Sequence, residues 1–85
     1  MKYLHYEVNA GPNDTIVVHL DRQANVRIMD SHNFAKYRAG RSFQYRGGRA
    51  VKSPVCLNPP QRGHWHVVID MGGARGSVRA SVECH

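Results

Sequence analysis

The sequence has no apolar run long enough to cross a membrane or to act as a signal peptide; its first eight residues alternate polar and apolar instead. A cytoplasmic protein is therefore expected. Cysteine is scarce: Cys56 and Cys84 form no CxxC pair, and two thiols exclude a four-cysteine zinc site. In a reducing compartment both thiols are expected free, with a Cys56–Cys84 bridge reserved for an exported protein. Acidic residues are few as well, six against twelve Lys and Arg, giving a net charge of +6. That balance turns the protein toward anionic partners such as nucleic acid, nucleotides, phospholipid or acidic proteins. Repeats, linkers and low-complexity tracts are missing, so 85 residues define one domain over 1–85 with one modest core.

What is present is a series of short β patterns separated by turn residues. Strands are predicted over 2–8, 15–20 and 24–29, with turns at 9–14 and 21–23. Asp30 or Ser31 caps a short helix over 32–39, stopped by Gly40, with Phe34 and Tyr37 on its buried side. A strand over 41–46 turns Phe43 and Tyr45 inward, and Gly47-Gly48 marks a turn. Pro54 makes 51–57 an edge or bulged strand, because it cannot donate to a central ladder. The segments 64–71 and 77–84 form a closing pair joined by a hairpin loop over 72–76. The expected fold is all-β: an antiparallel β-sandwich, jelly-roll or Greek-key-like, of seven or eight short strands with one short helix.

The segment from Gly63 to Gly73 carries the most chemistry. On a strand, Trp65, Val67, Ile69 and Met71 share an apolar face, and His64, His66, Val68 and Asp70 share the other. Trp65 is the expected core anchor. His64 and His66 are candidate ligand-binding residues, about 6–7 Å apart at their Cα atoms. Two ligands fall short of the three or four a metal needs, so no metal or other cofactor is assigned. A third ligand would have to come from His5, His19, Asp21 or Glu7; Asp70 lies about 13 Å along the strand from His66. Asp70 is instead given a structural role, accepting backbone N–H groups of the following turn or pairing with Arg75 or Arg27. Gly72 and Gly73 are turn residues; Walker A spacing and its Lys are missing, so the loop is no phosphate cradle of that type. Cys56 has no base beside it in sequence, and Cys84 shares parity with Val78, Ala80 and Val82, which places it partly in the core or at a frayed end. From Tyr37 to Lys52, aromatic and basic residues interleave. Arg38, Arg41, Arg46 and Arg49 are candidate phosphate contacts if they share one face, while Tyr37, Phe43 and Tyr45 have core explanations.

Residues 24–30, Asn33-Phe34, Tyr37, Gly40-Arg41, Tyr45, Gly47-Gly48, Ser53-Pro54-Val55 and the segment 63–73 together make the chain resemble a family of small bacterial proteins, domain of unknown function number eighteen eighty-three. The resemblance runs over nearly the whole chain. It implies a β-rich fold and supplies no catalytic residues. A similar domain accompanies TIR-type signalling domains in some bacterial proteins, which implies a recognition or adaptor role. The function expected is thus a non-catalytic recognition or adaptor module, a monomer or homodimer that does not engage membranes, binding an unknown protein or anionic ligand. A non-specific, weak nucleic-acid-binding domain is the alternative, with a metal- or thiol-dependent enzyme third.

Overall fold

The computed structural model describes residues 3–73 and 75–85, so the predicted strand start at Lys2 and one residue of the 72–76 loop lie outside the described residues. The elements in order are β1 (Tyr3–Ala10), β2 (Ile16–Leu20), β3 (Ala24–Met29), α1 (Ser31–Arg38), β4 (Arg46–Ala50), β5 (Val55–Leu57), β6 (Gly63–Asp70) and β7 (Ala80–Cys84). They build two antiparallel sheets, β1-β6-β3-β4 and β5-β2-β7. The chain changes sheet at every connection except β3–α1–β4. This is the jelly-roll path with a helical connection in place of its middle hairpin, and with β7 added on the outer side of β2.

The inward residues of both sheets meet in one core. Ile16 and Val18 from β2 pack with Val26 and Ile28 from β3 and with Trp65, Val67 and Ile69 from β6. Each Val or Ile buried this way contributes about 1.5–3 kcal/mol. The outer face of the larger sheet is covered too. There α1 lays Phe34 against Met29 and Val68, with Tyr3, Tyr37 and Phe43 around them. Asp30 caps the helix, its Oδ1 accepting from Asn33 N at 2.9 Å. A helix of eight residues is unstable alone and is held by this packing. The molecule therefore has three layers, sheet, sheet and helix, and β6 lies in the middle one with its last six residues all buried.

Three strand expectations change. First, β6 and β7 are not a closing pair: β6 is already flanked by β1 and β3, and β7 joins β2 in the other sheet. The 72–76 segment thus belongs to a crossing between sheets and is no hairpin. Secondly, 41–45 forms no strand, and Gly47-Gly48 lies within β4 instead of turning the chain. Gly47 opposes Arg27, and a Cβ on it would collide with the Val26 carbonyl oxygen, so the close strand approach requires glycine. Tyr45 is accordingly exposed, lying against the Arg27 guanidinium, while Phe43 is half-buried. Thirdly, 51–57 shrinks to the edge strand β5, which begins just after Pro54. Cys84, at the end of its strand, is exposed, as is Cys56, and both are free.

Candidate functional site

The outer face of the β1-β6-β3-β4 sheet carries two polar centres separated by the Met29–Phe34–Val68 cluster. Asp70 builds the first. At 2 % exposure it is buried, with Oδ1 accepting from Asn25 Nδ2 and Gly72 N, and Oδ2 from Arg27 Nη1 and Tyr37 Oη, all at 2.9 Å. Burial opposes its ionisation. The hydrogen bonds from Asn25, Tyr37 and Gly72, with the Arg27 charge, outweigh that and hold its carboxyl below the usual range. Tyr37 is pushed the other way, by its own burial and by the carboxylate it faces. Of the three partners foreseen for Asp70, the following turn and Arg27 are in place, and Arg75 is not among its contacts.

The second centre forms where β1 crosses the other end of β6. The register sets Glu7 opposite His66, Asn9 opposite His64 and His5 opposite Val68. By alternation His5, Glu7, His64 and His66 then share one face. His5 Nε2 is 2.8 Å from His66 Nδ1, and Glu7 Oε1 is 3.9 Å from the same nitrogen. The other ring nitrogen of His66 faces Ser31 Oγ, at the start of α1, at 2.8 Å. The His64 ring sits between Asn9 Oδ1, 2.9 Å from its Nδ1, and Glu7 Oε1, 2.8 Å from its Nε2. Phe34 stacks on both His5 and His66, with ring centroids 4.2 and 4.5 Å apart. His66 is buried because α1 covers its strand; His64, His5 and Glu7 are exposed. Burial, reinforced by the neighbouring His5, pushes the His66 pKa down and favours its neutral, lone-pair-bearing form. The hydrogen bond from His64 holds the Glu7 carboxyl below its usual range against partial desolvation. His5, Glu7 and His66 offer three ligand atoms within 4.8 Å of one another. Of the four residues named from sequence as third ligands, the fold delivers His5 and Glu7. His19 instead faces Glu83 at 3.5 Å in the other sheet, and Asp21 accepts from Arg79 N.

The four arginines named as phosphate contacts on condition of a shared face do not all lie on one. Arg46 and Arg49 are three apart on β4 and point to opposite sides of the sheet. Arg38 lies over the Phe34 ring at 5.8 Å, and Arg41 is exposed beyond the helix end. Arg49 belongs to a different group. With Arg22, from the turn before β3, and Arg75, from the crossing after β6, it lines a cleft of ≈ 390 Å³ floored by Ala24, Asn25 and Gly72. Arg49 Nη2 donates to Gln23 Oε1 at 2.7 Å, and Arg22 Nη1 to the Ser77 carbonyl at 3.1 Å. Among the described residues no Asp or Glu lines this cleft. Arg22 and Arg75 carry no sequence signal that marks them, since only the sheet crossings bring three distant arginines together.

Fold and sites together define a small helix-covered β-sandwich with a histidine–carboxylate cluster at one end and an arginine-lined cleft elsewhere on the surface. The chain belongs to the family Domain of unknown function (DUF1883), whose model matches residues 1–85. Neither a curated protein nor a solved structure matches it. Among the described residues no helix is long and apolar enough to cross a membrane.

Proposed function

We propose that this protein is a non-catalytic recognition module of the adaptor kind, which takes an anionic group of a ligand or protein partner into the Arg22–Arg49–Arg75 cleft. The observation that supports this is that three arginines from three separate segments line one cleft, with no carboxylate among its described lining residues. Its ≈ 390 Å³ falls within the range of small-molecule sites, about 300–1,000 Å³. Guanidinium groups bind phosphate and carboxylate oxygens through paired N–H donors, so a phosphoryl or carboxylate group is the matching chemistry. The neutral lining, Asn25 with Ala24 and Met71, allows a body beyond the charged group.

Calorimetric titration with inorganic pyrophosphate tests the proposal. Arg22→Ala, Arg49→Ala and Arg75→Ala should each weaken binding by about 10–100-fold, the cost of one charged hydrogen-bonding partner. Arg46→Ala, on the opposite side of β4, should leave it unchanged. Equal loss from all four substitutions would indicate binding by diffuse charge, which favours the nucleic-acid alternative. Pyrophosphate binding that ignores the three cleft arginines would sink the proposal.

A further inference from the structure

We propose that His5, Glu7 and His66 form a binding site for a divalent first-row transition ion, with zinc the ion that their donor set fits. The inference is independent of the arginine cleft and rests on different residues. Two imidazole nitrogens and one carboxylate oxygen already lie within 4.8 Å of one another, before any ion draws them together. This is a two-histidine, one-carboxylate set of the kind that zinc accepts with a fourth position left to solvent. His5 and Glu7 are exposed, so that fourth position faces water.

The surroundings carry the argument further than the three ligands alone. A ligating imidazole characteristically donates its second ring N–H to an oxygen, which fixes both tautomer and ring plane. His66 has that partner in Ser31 Oγ, 2.8 Å from its Nε2. A ligating carboxylate is likewise oriented by a hydrogen bond, and His64 Nε2 lies 2.8 Å from Glu7 Oε1. Phe34 stacks on both ligating rings, whose planes lie 14° apart, and covers one side of each. Zinc–nitrogen bonds of about 2.0–2.1 Å at a tetrahedral angle separate two ligating nitrogens by about 3.3 Å. His5 Nε2 and His66 Nδ1 stand 2.8 Å apart, so the pair opens by about half an ångström to admit the ion. His5, exposed on the edge strand β1, is the side able to move. A proton shared between the two imidazoles occupies the same nitrogens in the ion's place. The site therefore holds together without metal; when zinc takes both lone pairs, the N–H proton of the donor imidazole passes through solvent to that ring's other nitrogen, which stays the protonated one.

The competing account is an ordinary histidine–histidine hydrogen bond, which gives no zinc affinity beyond that of scattered surface histidines. Titration of the metal-free full chain with zinc against a chromophoric chelator distinguishes the two. One equivalent should bind. His5→Ala and Glu7→Gln, both at exposed positions, should each weaken binding by more than the about 10–100-fold that loss of an outer partner costs. Ser31→Ala, which removes only the second-nitrogen partner of His66, should weaken it by about that amount. His19→Ala and His85→Ala, whose rings face Glu83 at 3.5 and 3.4 Å, should not change it. In an imidazole proton–nitrogen correlation spectrum, zinc should move the His5 and His66 rings together. Cobalt(II) should give the visible bands of a four-coordinate ion, lost in Glu7→Gln. Equal zinc affinity in wild type, His5→Ala and Glu7→Gln would overturn the proposal. So would zinc-dependent shifts confined to His19 and His85.

Discussion

Asp70 ties three segments through one carboxylate: Asn25 and Arg27 from β3, Tyr37 from α1 and the backbone after β6. Replacing it by Asn keeps the shape but leaves the Arg27 guanidinium, only a fifth exposed, without its ion pair. Breaking a buried pair from one side costs about 3–5 kcal/mol, and Asp70→Asn should lower the free energy of urea unfolding by that order. The pH dependence follows from the direction of the shift. The folded carboxyl titrates below its ordinary value of 3.8, so on acidification the unfolded chain takes up the proton first. The stability that Asp70 supplies is complete above that ordinary value and drains away as pH falls toward the lower folded one. His66, held neutral by burial, acts in the same sense but higher, since the unfolded imidazole charges first below pH about 6.5. Unfolding measured from pH 7 down to 2 should show a steep acid limb, and Asp70→Asn should flatten its lower part. An unchanged limb would remove Asp70 from the account. At this scale the sequence was informative where partners are near or share a strand end: an Asp before two glycines announces a turn acceptor. Tyr37 was read as a core residue, since its bond to Asp70 depends on α1 lying across the outer sheet face.

At the scale of elements, strands with clean alternation were legible, and those whose environment departs from it were not. β2 and β3 follow the expected spans closely because Ile16, Val18, Val26 and Ile28 alternate toward the one core. β4 was missed because glycine is ambiguous: Gly47-Gly48 has the composition of a turn but serves a close approach of two strands. The two glycines should respond differently to substitution. Gly47 has φ +108°, and an added methyl meets the Val26 carbonyl; Gly48 has φ +149° with open space around it. Both alanines carry the backbone cost of an unfavourable φ, about 1–3 kcal/mol, and only Gly47→Ala adds a collision. Gly47→Ala should therefore destabilise more than Gly48→Ala. It should also raise amide exchange along the β3–β4 ladder in hydrogen–deuterium measurements. Equal behaviour of the two variants would refute the close-approach explanation. The pairing of β6 was illegible for a related reason. Its eight-residue match with β1 joins the first strand to the sixth, and no local signal announces a partner so far away. That single pairing decides the histidine cluster. The sequence could name His5 and Glu7 among four possible ligands, but only the β1–β6 register separates them from His19 and Asp21.

Across the whole molecule, the +6 charge is distributed and not gathered. Arg46 and Arg49 face opposite sides and Arg38 lies on Phe34, while Arg22, Arg49 and Arg75 line one cleft. Such a surface attracts any polyanion at low salt without reading its sequence, because phosphate contacts position a partner while base edges specify it. Binding of oligonucleotides should therefore be weak, about 10⁻⁴–10⁻⁶ M at physiological salt, and indifferent to base composition. The salt dependence counts the contacts. Each phosphate neutralised lowers log K by about 0.7 to 0.9 per log unit of salt, so engagement of the three cleft arginines predicts a slope of about 2 to 3. Pyrophosphate should compete with the oligonucleotide if both use the cleft, and Arg49→Ala should lower both the affinity and the slope. Fluorescence anisotropy of labelled single- and double-stranded oligonucleotides at several salt concentrations gives slope, strand preference and competition together. A much steeper slope that pyrophosphate cannot reduce would mean that the scattered arginines act as one surface. Tight, sequence-dependent binding that survives high salt would make nucleic acid the ligand and displace the recognition of a small anion.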